Sequence, residues 1–176
     1  MQHATPVISK PIISADSHVM EPPGTYLDRI DKAYRDRAPH IVSDPKRGEV
    51  FAIPGMPDAV PIGLVAAAGK TAEEIGKAAT HARFDDLHRG GWDPHARLAE
   101  QEADGVAAEV IYPSVGMLLC NHQDADYKKA CFDAYNLWIA EYCDPYPSRL
   151  IGLGQTAMRS PEEGIRDLRA IKALGL

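Results

Sequence analysis

Three times along this chain a short run rich in β-branched or small apolar residues leads toward a stretch with helical period, and proline or a capping residue marks the change. The runs are Ile12 to Asp16, between Pro11 and Pro22; Val106 to Tyr112, closed by Pro113; and Arg149 to Leu153. Strands that alternate with helices must be joined by crossovers, and such units build a parallel sheet flanked by helices. The fold class is therefore α/β.

The helices have their own signals. Asp93 is placed to cap a helix that has Pro94 at its first position and runs to about Asp104, with Gly105 just past its end. From Asp124 to Tyr142, residues Tyr127, Ala130, Cys131, Ala134 and Trp138 step at three and four and make one apolar stripe. Ser160, Pro161 and Glu163 read as a capping box that opens a helix with Ile165, Leu168 and Ile171 inward and Gly175 at its end. Thr25 to Arg37 reads as a helix with Tyr26, Ile30, Ala33 and Tyr34 on one face, stopped before Pro39.

Positions 40–91 are the least regular. Glu49–Ile53 and Ala59–Gly63 fit a hairpin in which Pro61 requires an edge strand, and a short helix is expected within Ala66–Arg83. The segment reads as an insertion, or lid, over the strand ends, where loops shape pockets. Met1–Lys10 reads as a frayed lead-in. The 176 residues fit one domain, and a formal charge of −6 without a strong Lys/Arg cluster argues against a nucleic-acid surface. No apolar run approaches a membrane span, and no signal-peptide layout opens the chain, so neither membrane nor leader is expected. Cys120, Cys131 and Cys143 are odd in number and lack CxxC spacing, which predicts reduced thiols and a cytoplasmic setting.

The chemistry concentrates where the first strand stops. Side chains alternate along a strand, so Asp16 and His18 share a side if the backbone stays extended through Ser17. A carboxylate and an imidazole together begin a divalent-metal site, and Glu21 ranks third, as a ligand or as a partner of His18. An Asp-x-His pair on its own is more often a solvated turn or a hydrogen-bonded core pair.

Asp16-Ser17-His18-Val19-Met20-Glu21-Pro22 resembles the first-strand motif of the amidohydrolase superfamily, with Asp where many members have His. The branch it is most similar to is the amidohydrolase 2 group, which holds the aminocarboxymuconate-semialdehyde and resorcylate decarboxylases. Gly90–Pro94, Arg97-Leu98, Asp104–Val106, Glu109-Val110, Tyr112-Pro113, Tyr135-Asn136, Trp138 and Pro147–Gly152 carry the likeness onward. The resemblance implies the N-terminal portion of a (β/α)8 TIM barrel, incomplete in this chain, since a closed barrel takes about 250 residues. A truncated product or one piece of a longer protein is therefore expected. The resemblance further implies a divalent metal, zinc or manganese, held by Asp16 and His18, with the remaining ligands and the acid–base residue beyond Leu176. The implied activity is hydrolysis of an amide or ester, or decarboxylation of an aromatic or unsaturated acid, on a small-molecule substrate, in a homo-oligomer. The alternatives are a non-catalytic half-barrel that acts as an interaction module, and an α/β binding domain in which the motif is incidental.

Other features carry less. Gly152-Leu153-Gly154-Gln155-Thr156-Ala157 fits a dinucleotide pattern, but the next helix begins too late to hold a pyrophosphate. Gly69-Lys70-Thr71 lacks the leading glycine of a phosphate loop. His81, His88, His95 and His122 lack ligand spacing, although His88 or His122 could line a pocket. Ser114 has no evident base, Cys131, Cys143 and Trp138 read as packing residues, and Arg149 reads as a salt-bridge partner before a substrate anchor.

Overall fold

The computed structural model describes residues 10–176 apart from positions 66 and 68. The predicted lead-in lies outside these residues except for Lys10. Strands β1 (Ile12–His18), β5 (Val106–Tyr112) and β6 (Leu150–Gly152) form a parallel sheet in the order β1-β5-β6. Helices α4 (Pro94–Asp104), α6 (Ala125–Cys143) and α7 (Pro161–Ala173) connect or follow them. The caps are those the sequence encodes. Asp93 accepts from the amides of His95 and Ala96, Asp124 from that of Tyr127, and Ser160 from that of Glu163. Gly105 ends α4 at φ +70°, a conformation that costs a side-chain-bearing residue free energy.

Helix α6 is buried on most of its circumference. Tyr127, Cys131, Tyr135 and Ile139 have no exposed surface, and they pack in one core with Ile111 and Leu150 of the sheet and with Val19, Tyr26 and Phe51. Burying one such side chain contributes roughly 1.5–3 kcal/mol, which is why a helix with so broad an apolar surface sits at the centre, with Asp126, Asp133 and Glu141 on its exposed stripe.

Several expectations need correction. The first strand is not buried: Ile12 and Ile13, on opposite faces, are 43% and 57% exposed, because β1 is an edge strand that the described residues cover on neither face. The Thr25–Arg37 helix is two short pieces, α1 (Gly24–Leu27) and a 3-10 turn over Lys32–Arg37. Asp31 adopts φ −51°, ψ 139° and its carboxylate takes the Ala33 amide, a local bond that competes with the helical one. Ala33 is exposed, whereas Tyr26 and Ile30 are buried as expected. In α7 only Ile171 faces the core; Ile165 and Leu168 are 50% and 57% exposed. The capping box there is half formed, because Glu163 turns to the Arg159 amide and guanidinium instead of the Ser160 amide.

Positions 40–91 are more regular than the sequence indicates. Strands β2 (His40–Asp44), β3 (Gly48–Ala52) and β4 (Val60–Pro61) form an antiparallel sheet, with Pro61 on an edge strand as its missing donor requires. Strand β2 is not foreseen by the sequence reading, and Ile62 and Gly63 belong to a short helix, α2 (Ile62–Val65), rather than to a strand. Helix α3 (Ala72–His81) begins in a complete Thr71–Glu74 capping box.

One ion pair joins the layers. Arg97 of α4, its side chain 9% exposed, donates from Nε to Glu109 of β5 at 2.5 Å. Burial pushes the Glu109 carboxyl up, but bonds from Arg97 and Gln101 outweigh this and hold it below the usual range. Removing one partner of a buried pair costs about 3–5 kcal/mol, so Glu109→Gln should lower stability near the bottom of that range at pH 7. A depressed folded pKa means the stabilisation is present above the ordinary glutamate value and lost as pH falls through the folded value. Urea melts of wild type and Glu109→Gln should therefore converge as pH is lowered; a gap that stays constant contradicts this.

Candidate functional site

The site begins with an irregularity in β1. Ser14 pairs with Glu109 and Ser17 with Ile111, so Ala15 and Asp16 together stand opposite Val110. This extra residue is a bulge, a device that re-aims side chains. Plain alternation would put Ser14 and Ser17 on opposite faces; here their hydroxyls are 2.8 Å apart, and Ser17 donates to Glu109 at 3.0 Å. Asp16 and His18 flank Ser17, and Asp16 Oδ1 lies 3.4 Å from His18 Nε2, the two side chains being 79% and 38% exposed.

His18 is held from two directions. Its Nδ1 is 2.9 Å from the Pro113 carbonyl, which can only accept, so Nδ1 carries the proton in this bond. Its own carbonyl accepts from Arg97 Nη1 at 2.9 Å. The Tyr112 ring lies 5.7 Å away, tilted by 32°. Directly after His18 the chain dives inward: Val19, Met20 and Glu21 are buried, and Met20 donates its amide to the Gly91 carbonyl.

The three predicted ligands do not come together. Glu21 is wholly buried, and its carboxylate accepts from the backbone amides of Ser114, Val115 and Gly116 and from the Tyr26 hydroxyl. Burial pushes its carboxyl up against the pull of those amides. With both oxygens occupied it is not placed as a first ligand. Among the described residues no group of three or more His, Cys, Asp or Glu is placed to hold a metal. Asp16 and His18 nevertheless fit two positions of one ion. Two ligands each about 2.1 Å from a tetrahedral ion stand about 3.4 Å apart, the separation seen here, and Nδ1 bonded to a carbonyl is how ligating histidines are commonly oriented.

A hollow of about 250 Å3 opens beside His18 at the carboxyl ends of the parallel strands, lined by Tyr112, Pro113, Met117, Cys120, Leu153 and Gln155. Strand ends of this kind are where α/β folds place ligands. Gln155 is fixed by paired bonds with Asn136, its amide at 2.7 Å and its carbonyl at 2.8 Å, while its Oε1 has no partner among the described residues. The sequence reading did not single out Tyr112, Pro113, Met117 or Gln155 for the site. The available signal was position: Tyr112 ends β5, Pro113 follows it, and Gln155 stands three residues past β6. Met117 and Cys120 lie on and just after a five-residue helix, α5 (Val115–Leu119), too short to show a period.

The remaining candidates fall on the structural side. Arg149 pairs with Glu102 at 2.6 Å, and His88 pairs with Glu100 at 3.0 Å while lining a second hollow between β1 and α4. His122 is buried against Tyr127 and bonds the Pro54 carbonyl. Ser114 faces Glu21 through its amide, and Trp138 lies in the core. Cys131 and Cys143 are buried, and burial pushes their thiols up to about 12 and about 11.

No protein-family profile matches the sequence. Among solved structures, an amidohydrolase from Mycobacterium avium subsp. paratuberculosis superposes with a TM-score of 0.67 at 20% sequence identity. The match covers 96% of this chain and 48% of that one. This chain shares that amidohydrolase's fold. It spans about half the length of that protein. No helix among the described residues is long and apolar enough to cross a membrane.

Cys120 is exposed and lines the hollow, unlike the other two cysteines. A thiol reagent added to the native protein should therefore react quickly with one thiol per chain, and with three after denaturation. Rapid reaction of Cys131 or Cys143 in the native state would contradict the packing described here.

Proposed function

We propose that this chain carries part of the metal centre of an amidohydrolase-superfamily enzyme, within part of a TIM barrel. The observation that carries the reading is the Asp16–His18 pair, 3.4 Å apart at the carboxyl end of a parallel strand, with His18 Nδ1 committed to a carbonyl. The shared fold supports it. Asp16 and His18 would hold a divalent ion, zinc or manganese, together with ligands from outside the described residues. The ion would supply a Lewis acid that draws charge from a substrate oxygen.

The chain's own residues account for the rest. Pro113 leaves the Nε2 lone pair of His18 free to face Asp16. Asp16 brings one negative charge to the ion. The hollow walled by Tyr112, Met117 and Leu153 would receive a small apolar group beside His18. This favours a small carboxylic acid, amide or ester with an apolar or ring portion. Both hydrolysis and the decarboxylation typical of the amidohydrolase 2 branch suit such a site. Positions 40–91 would serve as the lid. Three reduced cysteines suit a cytoplasmic enzyme. A homo-oligomer would cover the open face of the sheet.

A second reading has its own support. Ile13, Ile165 and Leu168 are each at least half exposed, as an interaction module would present them. Calorimetric titration with zinc and with manganese separates the readings. The metal reading expects binding by wild type that weakens about tenfold or more in Asp16→Ala and in His18→Ala. Binding that is equal in all three proteins, or absent from wild type, contradicts it.

A further inference from the structure

We infer that Glu21 is a positioning residue that aims His18 through a single peptide plane. This rests on the proposed role of His18. The carbonyl that holds His18 Nδ1 is that of Pro113, at 2.9 Å, and the first amide held by Glu21 Oε2 is that of Ser114, at 3.2 Å. These two groups are the opposite ends of one peptide unit. A trans peptide is rigid and its C=O and N–H point in opposite directions, and the chain has no cis bond among the described residues. Fixing the N–H therefore fixes the direction of the carbonyl. Glu21 holds one end of that unit and His18 meets the other.

The hold is more than one bond. Oε2 also accepts from Val115 at 3.0 Å, and Oε1 accepts from Gly116 at 3.0 Å and from the Tyr26 hydroxyl at 3.3 Å. Three successive amides converge on one carboxylate, a concave arrangement that suits an anion. The surroundings are dry: Val19, Met20, Tyr26 and Val115 are all buried. Rotating the Pro113–Ser114 plane would strand donors and an acceptor away from water, which is the costly way to lose hydrogen bonds. The exposed imidazole is thus controlled from the core, by a residue three positions further along the chain that reaches the plane across 93 residues of sequence.

The result is a defined tautomer. With the carbonyl aimed at the ring, Nδ1 keeps its proton and Nε2 presents a lone pair toward Asp16. If Glu21 served the fold alone, its loss would lower the melting temperature and leave the ring's tautomer unchanged in the folded protein.

The test uses the 15N-labelled 176-residue chain, metal-free, at a pH where His18 is neutral and well below the melting temperature. Two-bond 1H–15N spectra of the imidazoles, with His18→Gln for assignment, read the tautomer. Wild type should show His18 with its proton on Nδ1. Glu21→Gln, which replaces one acceptor oxygen by a donor amide, should show mixed tautomers, and competition with a zinc-binding dye should show zinc affinity lower by about tenfold or more. Glu21→Asp keeps the charge but falls short of the loop, and should shift in the same direction; it takes over if Glu21→Gln does not fold. A folded variant with the wild-type tautomer and wild-type zinc affinity overturns the inference. So does a wild-type His18 protonated on Nε2, which needs no variant. The tautomer is read without metal, so failure of wild type to bind zinc would sink the metal reading and leave the role of Glu21 to be judged on its own.

Discussion

The buried pair of Arg97 and Glu109 is the junction on which the rest of the structure depends. Glu109 receives Arg97, Gln101 and Ser17, and Arg97 also donates to the carbonyls of His18 and Gly90. These bonds bring α4, β5, the end of β1 and the turn before α4 to one point. Gln101 extends the junction to the Arg149 carbonyl at the start of β6. Buried charges of this kind add little stability over well-packed apolar residues, but only one arrangement satisfies them. That specificity matters at the end of β1, where a shift of one residue would turn Asp16 and His18 to the wrong face.

The motif Asp16–Pro22 divides into two halves with opposite duties. Asp16 and His18 reach outward into solvent and toward the hollow. Val19, Met20 and Glu21 go inward and anchor the turn. A ligand-binding group needs exposure and a fixed direction at once, and exposed side chains are seldom fixed. Here the direction comes from the dry side: Arg97 bonds the His18 carbonyl and the loop held by Glu21 bonds its ring. The bulge at Ala15 and Asp16 completes the arrangement by letting Ser14 and Ser17 both turn toward Glu109.

The legible parts of the fold were those with local causes. Asp93, Pro94, Gly105, Asp124 and Ser160 announce helix ends because each acts within four residues of itself. The pairing of Asp16 with His18 was legible for the same reason. Much of what the sequence does not announce depends on distant partners. Glu21 has the side chain of a ligand, and nothing near it in sequence tells that its carboxylate meets amides at positions 114–116. Asp31 is a local case: the apolar spacing of Tyr26, Ile30 and Tyr34 spans it and predicts one helix, yet its own carboxylate takes the Ala33 amide and breaks that helix. The exposure of Ile12, Ile13, Ile165 and Leu168 was hidden because an apolar residue says that it favours cover, not that cover is present.

The proposed chemistry centres on a cation shared by Asp16 and His18. X-ray absorption at the zinc edge on the zinc-loaded protein tests it most directly, because it reads the atoms around the ion and not merely the presence of binding. Imidazole scattering with nitrogen and oxygen neighbours near 2.0–2.2 Å is expected from this 176-residue chain, with loss of the imidazole contribution in His18→Gln. A first shell containing cysteine sulfur, or an imidazole signal that survives His18→Gln, would contradict it.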